Sequence, residues 1–138
     1  LAIAIAPSAE LGHARMSAGD LEPIVLNLLF NARDALEGVT GRARRIDVAV
    51  DRVASAHLRV RVGDNGVGMT PAVAALVFEP FYRPAGTRPD AGGAGLGLAI
   101  ARGLAEAQGG AIRYAPREGG GSVFTFSLPF AEAPAVAE

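Results

Sequence analysis

The sequence predicts an α+β fold, a two-layer α/β sandwich in which a mixed sheet of about five strands is covered on one face by three helices. Three observations predict it. Five short stretches read as strands, three of them with side chains in a two-residue period, and three others read as helices. At 138 residues, half of them hydrophobic, the chain can bury one real core and is too short for two ordinary domains. One domain over residues 1–130 and a disordered tail over 131–138 are therefore expected.

The elements follow in order. Residues 1–6, LAIAIA, read as a strand, and PSAELGHARMS carries turn and strand-like pieces. From Gly19 the period changes to that of a helix. Asp20 is placed to cap it, Leu21, Ile24, Val25, Leu28, Leu29, Ala32 and Leu36 recur along it, and Gly38 ends it. RIDVAVDR and HLRVRVGD then alternate apolar with charged residues across a short connection, as neighbouring antiparallel strands with one wet face do. After DNGVGM comes a short helix from Pro71 to Val77, then FEPFYRPAGTRPDAGG, which fits neither period and reads as a loop. GGAGLGLAIARGLAEAQGG opens with glycines and continues as a helix with Leu96, Ile100 and Leu104 on one face, closed by Gly109 and Gly110. AIRYA and SVFTFSLPF are strands with EGGG as their turn, and AEAPAVAE has no pattern.

Thirteen basic residues nearly balance fourteen acidic ones, which argues against nucleic acid or an anionic membrane as the main partner. The absence of cysteine removes disulfides, thiolate catalysis and Cys-based zinc sites, and a cytoplasmic location is expected. LAIAIA is far shorter than the roughly 20 apolar residues of a membrane span. An opening Leu instead of Met suggests a segment of a longer protein, and every basic residue is Arg.

Three constellations carry chemistry. At about 100° per residue, Asn27, Asn31 and Asp34 fall within roughly 60° of one another, a polar stripe at the rim of the buried face. Amide oxygens there suit a hard cation such as Mg²⁺ without adding charge. In DNGVGM, Asp64 ends a strand and is followed by Gly66 and Gly68. An Asn-Gly turn needs no function, but the glycines would also let the backbone pass close to a flat ring while the carboxylate accepts from an exocyclic amine. Gly92, Gly93, Gly95 and Gly97 lead into a helix, where free amides and the positive helix end attract phosphate. The two better-known phosphate motifs fail: GxGxxG lacks its third glycine, and the P-loop needs a Lys.

Taken in order, these residues resemble the catalytic ATP-binding domain of sensor histidine kinases, within the GHKL superfamily that also holds gyrase, a heat-shock chaperone and MutL. LxxIVLNLLFNARDAL is similar to the N box, DNGVGM to the first glycine box, FEPFYR to the F box, GGAGLGLAIA to the second glycine box, and EGGGSVFTFSLP to the closing Gly-Thr box, with Ser122 where Thr is usual. The resemblance implies that Asn31 holds the Mg²⁺ that bridges the ATP phosphates, with Asn27 supporting it. It implies that Asp64 takes the adenine amine, that Gly66 and Gly68 let the base lie close, and that Gly93, Gly95, Leu96 and Gly97 wrap the phosphates with Ser122 completing the site. Residues 78–92 would form the ATP lid, with Arg83, and less strongly Arg88, meeting the γ-phosphate.

Two departures matter. Many such kinases carry Lys and Tyr after the N-box asparagine, where this chain has Asp34 and Ala35, so Asp34 is expected to act through Mg²⁺, water or a neighbouring Arg. Relatives that hydrolyse ATP or phosphorylate serine usually place Glu at the position of Asn27; an amide cannot take that proton, which favours transfer to histidine. His13 and His57 lack the adjacent acidic residue of a phosphoacceptor and are expected to be structural or on the surface. The acceptor would then sit on a separate dimerisation domain, with a response regulator downstream. An anti-sigma-type serine kinase and a non-catalytic regulatory module of the same fold are the alternatives.

Overall fold

The computed structural model describes residues 2–7, 18–53, 57–83 and 96–129. In chain order the elements are β1 (Ala2–Pro7), α1 (Ala18–Leu36), β2 (Arg45–Val53), β3 (His57–Asp64), α2 (Pro71–Leu76), α3 (Gly97–Ala107), β4 (Ala111–Pro116) and β5 (Ser122–Pro129). The five strands form one sheet in the order β1-β2-β3-β5-β4. Only the β1–β2 pairing is parallel. The sheet is therefore mixed, as its sequence predicts, with β3 at the centre.

Alternation decides which face of each strand is buried. Val60 and Val62 of β3, and Phe124, Phe126 and Leu128 of β5, point to one side and are buried. On the other side Arg59 of β3 reaches Asp51 of β2 at 2.6 Å. That guanidinium, by hydrogen bond and charge, holds the Asp51 carboxyl below the usual carboxylate range. Ile24, Leu28, Ala32 and Leu36 of α1 close the core from the helical side.

Two helix expectations change. Helix α1 starts at Ala18, so Asp20 lies inside the first turn instead of capping it. Pro23 is tolerated close to that end, where it removes one helical hydrogen bond. In α3 the buried residues are Ala101 and Ala105, with Leu98 and Leu104 half-buried, while Ile100 is 48% exposed. Small side chains let α3 lie close to α1, so the face turned inward is the alanine face, not the one marked by Leu96 and Ile100. Helix α2 is capped by Thr70, whose Oγ1 accepts from Val73 N at 3.2 Å, and Pro71 fills the first turn. It buries none of its own residues. Val77 and Phe78 just beyond it pack on the core, Phe78 edge-on to Phe124 with centroids 6.0 Å apart.

Candidate nucleotide-binding site

Asp64 is buried by the same alternation that buries Val60 and Val62, and only 1% of it is exposed. Its Oδ1 accepts a hydrogen bond from Gly66 N at 2.9 Å. Its Oδ2 is buried and has no hydrogen-bond partner among the described residues. Burial pushes the carboxyl pKa up, while the amides of Gly66 and Ser122 and the charge of Arg117 pull the other way. Ser122 is the cross-strand partner of Asp64, is equally buried, and leaves its Oγ unpartnered. Burying polar oxygens without partners is costly, so a pair of them side by side at a strand end points to a ligand that completes them.

The walls of this spot are backbone. A Cβ on Gly66 would collide with the carbonyl of Ala35, near the end of α1, so glycine is required there for the loop to rest on the helix. Gly68 has φ +69°, and a Cβ there would lie 3.2 Å from Gly121 O. Gly121, with φ +110°, presses against the carbonyl of Asp64. The turn of the β4–β5 hairpin therefore closes on the loop after β3. From that hairpin Arg117 extends past Gly63 to Asp47 Oδ2 at 3.1 Å.

The polar stripe of α1 is half-buried along its length, at Asn27, Asn31 and Asp34. Asn27 Nδ2 donates to Pro23 O at 2.8 Å, one turn back. Its Oδ1 faces Gly97, at 2.9 Å from where a Cβ would stand. This contact joins the asparagine helix to the first turn of α3. Asn31 Nδ2 is buried without a partner among the described residues. Asp34 pairs with the adjacent Arg33 at 3.3 Å, and Arg33 in turn stacks 5.0 Å from the centre of Phe30. The neighbouring Arg expected beside Asp34 is Arg33.

The remaining candidates divide by place. Leu96 precedes α3 and its carbonyl accepts from Ile100 N at 2.9 Å. Arg83 is half-buried after the F-box turn, where Phe81 has φ +65° and is 70% exposed. Arg88, Gly93 and Gly95, most of the expected lid, His13 and the tail lie outside the described residues. His57 opens β3 and is exposed. Among the described residues no group of three or more His, Cys, Asp or Glu is arranged to hold a metal. Sequence reasoning missed Gly121, read only as a turn residue. It also missed Arg42 and Asn65, which bind the loop after β3. A run of three glycines in a hairpin turn was the available signal for the first; nothing local marked Arg42.

The fold and this arrangement define an α/β sandwich whose candidate nucleotide site lies between α1, the loop after β3 and the start of α3. The family described as histidine kinase-, DNA gyrase B- and HSP90-like ATPase matches residues 16–132, and the chain belongs to it. Over 126 residues it is 40% identical to the two-component sensor PprA of Pseudomonas aeruginosa, covering 89% of this chain and 13% of that protein. It is 36% identical to the C4-dicarboxylate transport sensor protein DctS of Rhodobacter capsulatus, covering 79% and 16%. Among solved structures, the mycobacterial sensor histidine kinase MprB superposes with TM-score 0.77 at 28% identity, over 92% of this chain and 83% of that one. Full-length ShkA in complex with AMPPNP also gives 0.77, at 35% identity, over 96% of this chain and 26% of that one. The chain thus spans well under a fifth of the length of PprA or DctS. Its relatives are sensor histidine kinases, and the expected α+β fold of this superfamily is the one it has.

Proposed function

We propose that this chain binds Mg-ATP and donates the γ-phosphoryl to a histidine on a separate dimerisation domain, from which a response regulator takes it. The observation that carries the reading is Asp64 Oδ2, a buried carboxylate oxygen lacking a partner among the described residues and flanked by glycine backbone. An exocyclic amine is the donor it lacks, and a site built around such a bond rejects a base that offers a carbonyl instead, by factors of roughly 10⁴. Gly66 and Gly68 would let the base lie against the loop, and Ser122 Oγ would reach it directly or through water. Asn31, whose Nδ2 has no partner among the described residues, would turn its oxygen to the Mg²⁺, which would supply charge neutralisation on the phosphates. Arg83 and Arg88 would meet the γ-phosphate, and Gly93, Gly95, Leu96 and Gly97 would surround the phosphate chain. Asp34, tied to Arg33, stays off the phosphates and shapes the rim.

Asn27 bears on which reaction follows. Its Nδ2 is already given to Pro23 O and its oxygen faces Gly97, so it orients α1 against α3 and cannot remove a proton. A neutral imidazole needs no base to attack phosphorus, whereas a serine hydroxyl or water does. This favours histidine over serine or hydrolysis. Calorimetric titration of the chain with ATP and magnesium tests the binding. Adding a phosphoacceptor domain and radiolabelled ATP tests the transfer. A chain that binds no adenine nucleotide, or that labels serine, would overturn the reading.

A further inference from the structure

We infer that Arg42, in the connection between α1 and β2, and Asn65, in the loop after β3, are positioning residues that aim the Asp64 carboxylate at the nucleotide; this rests on the ATP-site reading above. The evidence is one peptide plane. The peptide joining Asn65 to Gly66 is rigid, with its carbonyl and its N–H pointing in opposite directions. Arg42 Nη2 donates to that carbonyl, Asn65 O, at 2.7 Å, and the N–H on the other edge, of Gly66, donates to Asp64 Oδ1 at 2.9 Å. A guanidinium on the oxygen polarises the N–H that faces the carboxylate, so Arg42 strengthens and orients the bond to Asp64 from the far side of the peptide. The same Nη2 also donates to Gly66 O at 3.2 Å, so both carbonyls flanking the Gly66 Cα are held by one cation.

Asn65 fixes the start of the loop. Its N donates to Arg45 O at 3.2 Å, its Oδ1 accepts from Arg45 N at 2.8 Å, and its Nδ2 donates to Ala43 O at 2.8 Å. These bonds extend the β2–β3 pairing one residue past Asp64, whose own partner is Ile46. Behind the loop stands Ala35, whose carbonyl accepts from Val67 N at 3.4 Å and leaves no room for a Cβ on Gly66. With the plane pinned, Asp64 commits Oδ1 to the protein and presents Oδ2. Without Arg42 the plane can rotate, and neither carboxylate oxygen is assigned to the ligand.

The test is Arg42→Ala in the 138-residue chain, titrated with ADP and with AMPPNP. Losing a charge-assisted bond that acts through one peptide should raise Kd by about three- to tenfold, by the same factor for both nucleotides because the adenine end is affected. The Gly66 amide resonance should shift while amides of the central strands stay in place, a change that a merely stabilising surface residue would not produce. Unchanged Kd values overturn the inference, as does a loss confined to AMPPNP, which would place Arg42 at the γ-phosphate. Should Arg42→Ala unfold the chain, Arg42→Gln, neutral and too short to hold both carbonyls, decides by the same comparison. Asp64→Asn in parallel separates the two levels. Weakened binding by Asp64→Asn with unaltered binding by Arg42→Ala sinks only the positioning role; no nucleotide binding by the unmutated chain sinks the site itself.

Discussion

Asp64 meets opposing demands, since the burial that would make it selective for a base also disfavours its charge. Burial raises its pKa in the folded chain above the unfolded value of about 3.9. Just above that pH the native state therefore holds more proton than the unfolded chain, and stability falls as pH rises toward the raised native pKa. Asp64→Asn removes the charge and should flatten this part of the profile. In thermal melts from pH 4 to 7, the melting-temperature difference between variant and unmutated chain should move in the variant's favour as pH rises. The same variant should bind ATP roughly ten- to a hundredfold more weakly, the scale of a lost hydrogen bond to a charged group. Asp47 and Asp51 titrate the other way, held down by Arg45 and Arg59 first, so the difference between the two proteins isolates Asp64. Asn31→Ala belongs at this scale too. It removes an amide that is half-buried at the rim, so the fold should persist while ATP-dependent labelling of an added phosphoacceptor domain falls below a hundredth of its original rate; retained transfer would end the magnesium assignment.

At the scale of elements, the site depends on three close approaches of backbone. Gly66 lies on the end of α1, Gly121 on the end of β3, and Gly97 on the Asn27 side chain. The first two meet carbonyl groups that cannot swing aside, so Gly66→Ala should cost about 1–3 kcal/mol of stability and separate the loop from α1. Chemical denaturation would measure it. The third meets the end of a side chain, so Gly97→Ala should leave the denaturation midpoint nearly unchanged while displacing Asn27. Most elements were legible in sequence because strand alternation, helical spacing and the closing glycines are local signals. The inward face of α3 was not. Periodicity ranks side chains by hydrophobicity, whereas the α1–α3 contact selected small ones, Ala101 and Ala105, that allow the helices to approach.

For the whole molecule, the arrangement has one consequence for chemistry. His57 lies on an exposed strand end, and Asp64 and Asn31 are presented by the sheet end and by α1. Incubated alone with labelled ATP, the chain should acquire no acid-labile phosphate; supplied with a phosphoacceptor dimerisation domain, it should label that domain. No helix among the described residues is long and apolar enough to cross a membrane. The candidate site itself was half legible. Asp64, Gly66, Gly68, Asn27, Asn31 and Gly97 carry chemistry that their types and spacing announce. Arg42 does not, since a lone Arg in a short connection has no local pattern, and its meaning comes from a carbonyl more than twenty positions away in the sequence.

The sequence by itself determined the strands, the helices and the residue types of the site, because side-chain alternation, helical periodicity and glycine-rich turns act between residues a few positions apart. Tertiary structure alone decided that Asp64 keeps one oxygen for the protein and one without a partner among the described residues, that Ser122 stands beside it, and that Arg42 holds the peptide joining Asn65 to Gly66. Those are properties of distances between chain segments, set when the α1–β2 connection, the loop after β3 and the β4–β5 hairpin pack against one another.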